Sequence, residues 1–153
     1  MTIHVVLFQP QIPNNTGNIG RLCVATNCVL HLIKPLGFKI TDSNVKRSGL
    51  DYWPFLTYFE HESFEAFEAQ EKPQNCFLFS VHAKETIWDV SFSTFKEDIY
   101  LVFGREADGL PDTLVEKHKN KLLSLPMFSE NVRCYNLANA VAMSVMEVKR
   151  QLQ

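Results

Sequence analysis

The chain has 153 residues, 46% of them hydrophobic, and a formal net charge of −2 at pH 7. This length and apolar content suit one globular domain with a full core, so we expect a single domain over residues 1–153. The acidic balance argues against a general polyanion-binding protein, which is usually strongly basic. No apolar run approaches ~20 residues and the chain opens on a strand-like segment instead of a basic leader, so we expect a cytoplasmic protein without a membrane anchor.

Hydrophobic patterning predicts strands and helices in alternation. In chain order the predicted elements are a strand at Ile3–Phe8, a helix from about Asn15 to Asn27, a strand at Val29–Ile33, a helix from Asp42 to Gly49, a strand at Leu56–Phe59, a helix opened by Ser63, strands at Asn75–Val81 and Ile99–Phe103, a helix from Pro111 to His118, a strand at Lys121–Leu125 and a helix from about Asn136 to Gln151. Asn15 is expected to cap the free backbone N–H groups of its helix. The alternation predicts an α/β fold, with a mostly parallel sheet and helices on both faces.

The cysteines and histidines show no spacing typical of a metal site. There is no Cys-x-x-Cys pair, and the segment from His61 to Glu65 lacks the second histidine of a zinc-protease helix. Cys23 and Cys76 lie within apolar patterns, where a free cysteine behaves as a small hydrophobe. We therefore expect reduced thiols, as is usual in the cytoplasm, and no bound metal.

Three junctions rich in asparagine, glycine and arginine are the strongest functional features of the sequence. They cover residues 14–21, 104–111 and 131–139. In the second junction a predicted strand ends at Gly104, and a Gly-Leu-Pro turn leads into a helix. Open α/β sheets bind nucleotide-like ligands at such strand ends. The three segments form one site only if the fold brings them together.

The same junctions and several shorter segments carry a family resemblance over nearly the whole chain. These segments are QPQIPNNTGNIGR at 9–21, LHLIKPLGF at 30–38, RSGLDYW at 47–53, FGRE at 103–106, GLP at 109–111, LPM at 125–127 and NLAN at 136–139. In this order they resemble the SPOUT superfamily of S-adenosylmethionine-dependent RNA methyltransferases. The similarity is greatest to the TrmL-type enzymes, which 2′-O-methylate the wobble nucleotide of tRNA.

The resemblance implies both a fold and an activity. It implies a C-terminal trefoil knot, which general rules of chain topology do not predict. It also implies transfer of a methyl group from S-adenosylmethionine to the ribose of a wobble cytidine or uridine, with tRNA as substrate. The active unit is expected to be a homodimer that builds the RNA site across two chains. No metal and no membrane take part in this reaction.

The resemblance assigns catalytic roles to Arg21, Asn15, Asn136 and Glu106. Arg21 matches the arginine that the family places beside the target 2′-hydroxyl. A guanidinium stays protonated in proteins, so we expect it to stabilise the developing alkoxide while the proton passes to water or phosphate. Asn15 and Asn136 are expected to orient Arg21 and the substrate. Glu106 is expected to pair with an arginine of these motifs or to face the sulfonium.

The cofactor pocket is expected from Phe79, Gly104, Leu125 and Cys134, again by resemblance. Backbone groups at strand ends can hold adenine and ribose without side-chain bulk. Cys134 departs from the family, because serine is common at that position and a thiol is the weaker hydrogen-bond donor.

RNA contacts are expected from Arg47 and Arg133, which lie beside these motifs on a chain that is acidic overall. Two alternatives to the tRNA wobble activity stay open. One is a 2′-O-methyltransferase of another RNA, such as rRNA, and the other is a catalytically inactive RNA-binding protein of the same fold. The intact Asn15, Arg21 and Glu106 argue against the inactive protein.

Overall fold

A computed structural model describes residues 1–49 and 51–153 of the chain. Within these residues, one six-stranded sheet has the order β3-β2-β1-β5-β4-β6, and every strand pair is parallel. The strands are β1 (Ile3–Phe8), β2 (Val29–Ile33), β3 (Tyr58–His61), β4 (Asn75–Phe79), β5 (Ile99–Phe103) and β6 (Leu122–Leu123). The predicted parallel α/β sheet is confirmed.

Helices cover both faces of the sheet, as predicted. They are α1 (Pro13–Thr26), α2 (Ser43–Gly49), α3 (Phe64–Glu71), α4 (Asp112–Lys117) and α5 (Leu137–Gln151). Short 3-10 helices lie at Trp53–Phe55, Ile87–Asp89, Phe92–Thr94 and Lys119–Lys121. Among the described residues, no helix is both long enough and apolar enough to cross a membrane.

Alternate side chains of each strand point to opposite faces, which gives the molecule two core layers. Val5 and Leu7 of β1 pack in the layer that contains α1 and α5. Val6 and Phe8 pack in the layer that contains α3 and α4. The central strands β1 and β5 are buried along their whole length, because helices cover them on both sides.

The predicted start of α1 is wrong by two residues. The helix begins at Pro13, its N-cap is Ile12, and no side chain caps it. Proline suits the first helical position because its missing N–H would lack a partner there anyway. Asn15 therefore lies inside the first turn, where it is buried, and does not cap the helix.

Three strands outside the centre of the sheet, namely β3, β4 and β6, also differ from the prediction. β3 begins at Tyr58, because residues 53–55 form a 3-10 turn before it. β4 ends at Phe79, where the backbone N–H of Ser80 donates to Leu123 O and the chain turns away. β6 has two residues instead of five, since a 3-10 turn occupies residues 119–121. Short edge segments have few neighbours, so local turn geometry decides where they begin and end.

Candidate functional site

The carboxyl ends of the parallel strands lie together at one edge of the sheet, and α1 begins there. The three junctions meet at this edge. Asn136 Nδ2 donates to Asn15 Oδ1 at 3.2 Å, which joins residues 121 positions apart in sequence. Glu106 joins the junction after β5 to the segment before α1. The fold thus brings together the segments that the sequence analysis singled out.

Glu106 fixes the backbone that immediately precedes α1. Its Oε2 accepts the backbone N–H of Gln11 at 2.9 Å, and its Oε1 accepts the backbone N–H of Ile12 at 3.1 Å. A carboxylate near the first turn also interacts favourably with the helix dipole. The expected pairing of Glu106 with an arginine is not found among the described residues; the carboxylate fixes the backbone that leads into α1.

Gly104 and Gly109 close the turn after β5. The backbone N–H of Arg105 donates to Gly109 O at 3.1 Å, and that of Gly109 donates to Arg105 O at 2.9 Å. A Cβ on Gly104 would lie 2.3 Å from the carbonyl carbon of Gly109, so no side chain fits there. Gly109 has a φ of 69°, which glycine adopts at no steric cost. The close approach of two backbone segments thus explains the glycine at position 104, and the positive φ explains the glycine at position 109.

Arg105 ties this turn to the end of β1. Its Nη1 donates to Gln9 Oε1 at 2.7 Å, and its Nε donates to Asp108 Oδ1 at 2.8 Å. The guanidinium also lies over the ring of Phe8, 5.4 Å from its centroid. No role at the site was predicted for Arg105, although in the sequence it lies between a strand-end glycine and Glu106. Since its Nε and Nη1 donate to other side chains, Arg105 positions the loop.

The Asn15–Asn136 pair joins the first and last helices. Asn136 caps α5, its Oδ1 accepting the backbone N–H of Asn139 at 3.2 Å. Capping by the side-chain oxygen leaves the amide nitrogen free to donate to Asn15. The pair is therefore held from both sides and fixes the start of α5 against the first turn of α1.

Arg21 lies on α1 with its side chain exposed. Its guanidinium carbon lies 4.7 Å from the ring centroid of Tyr52, a cation–π contact. In the described part of the chain, neither Asn15 nor Asn136 bonds to Arg21. Among the described residues Tyr52 contacts the guanidinium, and the orienting role of Asn15 and Asn136 stays a prediction. Tyr52 lies in the family segment at 47–53, but no role was predicted for it.

Three of the expected cofactor residues, Phe79, Gly104 and Leu125, lie at or near the carboxyl ends of β4, β5 and β6, and Cys134 lies in the segment before α5. Phe79 stacks on Phe103 with ring centroids 4.7 Å apart, and Leu125 is half-buried against the core. Cys134 is exposed. Apolar side chains beside loop backbone fit an adenine ring and its ribose. The side chains supply a stacking surface, and the backbone supplies hydrogen-bonding groups.

The expected RNA-binding residues lie on two different segments. Arg47 is on α2, which packs against α1, and Arg133 is in the segment before α5; both are exposed. Neither forms an ion pair with another described residue. Leu50, part of the motif that contains Arg47, lies outside the described residues.

Three histidines that are far apart in sequence form a buried row across β1, β2 and β3. His4 Nδ1 lies 2.9 Å from His31 Nε2, and His31 Nδ1 lies 2.9 Å from His61 Nε2. His4 Nε2 lies 3.3 Å from Asp98 Oδ2, which ends the row. Burial and the two neighbouring imidazoles lower the pKa of His31 to about 3, and burial lowers the pKa of His61. His31 and His61 are therefore neutral near pH 7.

His4 and His31 also form a group with Glu71 whose potential ligand atoms lie within 4.8 Å of one another. Both ring nitrogens of His31 already face another ring nitrogen, which suits neutral imidazoles that share protons. The expectation of no metal stays a prediction.

The chain is similar to known methyltransferases over its full length. The SpoU rRNA methylase family matches residues 2–146. A tRNA (cytidine(34)-2′-O)-methyltransferase of Saccharophagus degradans is 41% identical over 150 residues, which are 97% of this chain and 95% of that protein. A Bacillus subtilis protein provisionally assigned the same activity is 45% identical over 152 residues, 99% of this chain and 94% of that protein.

Solved structures share this fold. One of them gives structural insights into the 2-OH methylation of C/U34 on tRNA. It has a TM-score of 0.89 at 40% identity, and the match covers 99% of this chain and 96% of the other chain. The SpoU methyltransferase AviRb of Streptomyces viridochromogenes has a TM-score of 0.81 at 23% identity, covering 99% of this chain and 60% of that one; at this identity the likeness shows the fold alone. The expected resemblance is thus confirmed, and the chain belongs to the SpoU methylase family.

Proposed function

We propose that this protein transfers a methyl group from S-adenosylmethionine to the ribose 2′-hydroxyl of the wobble nucleotide, cytidine or uridine, of tRNA. The observation that carries the proposal is 41% identity over 97% of the chain to a relative named for that activity. The geometry adds support, because Asn15, Asn136 and Glu106 meet at the strand ends where α/β folds bind nucleotide-like ligands.

Arg21 is the proposed catalytic residue. Bound cofactor supplies a sulfonium methyl group that is already activated, so the chain's task is to align the attack and to stabilise charge on the ribose oxygen. The exposed guanidinium on α1 is free to face an RNA hydroxyl, and the ring of Tyr52 limits its motion. As the new O–C bond forms, the hydroxyl proton leaves to water or to an RNA phosphate, since the guanidinium itself stays protonated.

Phe79, Gly104, Leu125 and Cys134 are proposed to line the cofactor pocket. The stacked Phe79–Phe103 pair and half-buried Leu125 would bury the adenine ring, while strand-end backbone would bond to its polar edge. Gly104 contributes by keeping the turn after β5 tight. The exposed thiol of Cys134 lies where a hydroxyl is common in the family, so we assign the contact there to backbone.

A homodimer is the proposed active unit, formed through α1 and α5. Met143 and Met146 of α5 are 40% and 57% exposed and lie on one helix face, and Ile12 before α1 is 46% exposed. Apolar exposure on this scale is typical of an interface. Ala138 and Ala140 of the same helix pack against the protein's own core, so the methionines are the proposed contact.

Three further features are part of the proposal. Residues 1–153 would form a single domain, its C-terminal part would be threaded as a trefoil knot, and the protein would act in the cytoplasm, where tRNA is modified.

The test is to incubate the purified protein with S-adenosylmethionine and unmodified tRNA transcripts and to map 2′-O-methyl positions. Methylation at nucleotide 34 is expected, and a transcript with a 2′-deoxy sugar at that nucleotide should accept nothing. Methylation of rRNA but not tRNA would point to the other substrate class. RNA binding with no transfer to either would indicate an inactive binding protein.

A further inference from the structure

We propose that Trp88 and Phe128 form a platform on which an anticodon-loop base next to the methylated nucleotide stacks. The proposal rests on the proposed function, because it assigns part of that substrate's binding site.

The two side chains are unusually exposed for their size. Trp88 is 63% exposed and Phe128 is 85% exposed, with ring centroids 6.3 Å apart and ring planes inclined at 37°. Val81 and Val132, from the same two loops, are also more than half exposed. Large aromatic side chains in contact on a surface extend an apolar patch, and such patches commonly mark binding sites.

The platform lies on the loops that form the candidate site. Trp88 follows β4 and Phe128 follows β6, and these loops are joined by backbone hydrogen bonds: Ile87 N–H to Ser124 O at 3.0 Å and Ser124 N–H to Glu85 O at 2.9 Å. The segment that carries Phe128 includes Leu125 and leads to Cys134, two residues expected in the cofactor pocket.

The same segment connects the platform to the catalytic residues. Tyr135 Oη donates to Pro126 O at 2.7 Å, which holds the segment in place. The next residue, Asn136, bonds to Asn15 of α1, the helix of Arg21. The platform and the candidate catalytic groups thus belong to one bonded set of loops.

The backbone beneath Trp88 is held rigidly. Thr86 Oγ1 accepts the backbone N–H of Trp88 at 3.2 Å, and Asp89 Oδ2 accepts the backbone N–H and hydroxyl of Thr86 at 2.7 and 3.0 Å. This reciprocal capping box fixes the 3-10 turn without covering the indole ring. A preorganised aromatic surface loses little entropy when a ring stacks on it.

A nucleobase is the occupant that the chemistry favours. Proteins recognise single-stranded RNA loops largely by stacking unpaired bases on aromatic side chains. The chain has a net charge of −2, so its affinity for RNA needs contributions that do not depend on charge. Arg133, exposed in the same segment as Phe128, is placed to meet the phosphate of a stacked nucleotide.

The test compares leucine with aromatic replacements, since leucine keeps apolar bulk but cannot stack. Trp88→Leu and Phe128→Leu should each weaken tRNA binding by roughly ten-fold, the scale of one lost base–aromatic stack. Trp88→Phe and Phe128→Tyr should stay close to the parent. The slope of log affinity against log salt should not change, because stacking releases no counterions.

Three measurements separate stacking from other roles of the pair. Leucine variants that bind tRNA like the parent would overturn the proposal. So would a fall in their affinity for S-adenosylmethionine by calorimetry, which would place the rings in the cofactor pocket. A change of mass by analytical ultracentrifugation would overturn it too, by placing the rings between two copies of the chain.

A fluorescent base keeps this proposal distinct from the proposed function. Anticodon stem-loops carrying 2-aminopurine at single positions beside nucleotide 34 should be quenched by the parent at one position and not by Trp88→Leu. Quenching without methyl transfer would support the platform while the function fails. Methyl transfer without quenching at any such position would overturn the platform while the function stands.

Discussion

At the scale of single residues, the site depends on contacts that hold loops rather than on reactive groups alone. Three of these residues, Glu106, Arg105 and Asn136, form hydrogen bonds to other parts of the chain. Arg21 is different, because its N–H groups have no hydrogen-bond partner among the described residues and its guanidinium lies over the ring of Tyr52. Arg21 is therefore the group that is available to the substrate, whereas the other three side chains hold the loops in place.

Replacing Arg21 should separate catalysis from cofactor binding. Arg21→Ala should lower the rate of methyl transfer by about 10²–10³, the usual effect of losing one preorganised electrostatic contact. Arg21→Lys should restore little, because an ammonium lacks the planar fork of a guanidinium. Single-turnover rates and calorimetric titration with S-adenosylmethionine check this. Equal rates for parent and Arg21→Ala would remove Arg21 from the mechanism, and unchanged cofactor affinity is the control.

Glu106 should matter for stability as well as for activity. Glu106→Ala removes the acceptor of two backbone N–H groups at the entrance of α1, and we expect a loss of about 1–2 kcal/mol in the free energy of unfolding together with reduced transfer. Glu106→Gln should lose less stability, because its amide oxygen still accepts one bond. Urea unfolding measures both variants. An unfolding midpoint for Glu106→Ala equal to that of the parent would show that this contact stabilises nothing.

At the scale of elements, the histidine row couples strands β1, β2 and β3. With Asp98 ionised, one arrangement of protons satisfies the row: His4 donates to Asp98, His31 to His4 and His61 to His31. Glu71 and Tyr100 flank the row, Tyr100 stacking on His4 and donating to Glu71. A proton added to Nδ1 of His31 would face the N–H group of His61, and burial makes such a charged, mispaired ring costly.

This row should make folding stability fall in mild acid. In the unfolded chain His31 binds a proton below about pH 6.5, whereas in the folded chain its pKa is about 3. Between these values the unfolded state holds more protons, so the free energy of unfolding decreases as pH falls, by about 1.4 kcal/mol per pH unit for one proton. His61, whose pKa is also lowered, adds to this.

Urea unfolding at about pH 7 and about pH 5 measures the effect. The exposed His82 provides the matched control, because His82→Gln should keep the pH dependence of the parent. His31→Leu should reduce that dependence whatever its own stability. Identical unfolding free energies of the parent at both pH values would contradict the assignment.

The exposed face of α5 should control assembly. Met146→Arg places a charge on the most exposed apolar position of that helix, and we expect monomers that have lost methyl transfer. Ala66→Arg is the control, because Ala66 is also exposed on a helix but on the other face of the sheet. Analytical ultracentrifugation and the transfer assay are read together. A fully active monomer would refute a site built across two chains.

At the scale of the whole molecule, the salt-dependent part of the RNA affinity should come from a few local cations. Arg47→Ala and Arg133→Ala should each lower the slope of log affinity against log salt by about 0.7–0.9, the value of one phosphate contact. Arg150→Ala serves as control, since Arg150 is already paired with Glu147 at 2.8 Å. Filter binding over a series of salt concentrations measures the slopes. Unchanged slopes for both variants would place the phosphate contacts elsewhere.

The sequence alone determined the α/β class, the central strands β1, β2 and β5 and the bounds of α5. Central strands are mostly apolar because helices cover both of their faces, and this leaves a clear pattern. Val141, Val145 and Val148 of α5 are fully buried, as their helical spacing predicted. The family motifs identified the junctions at the site, because catalysis constrains the residue types there.

Only the tertiary structure decided which side chains contact one another. A side-chain cap was predicted for α1, but the N–H groups at its entrance are satisfied by Glu106, which is 94 and 95 positions away in sequence. The histidine row needs three strands aligned in register, and the aromatic platform needs two loops joined by backbone bonds. Such pairings depend on the order and register of the strands. Local sequence patterns do not contain that information, since they report only what each segment does with its own neighbours.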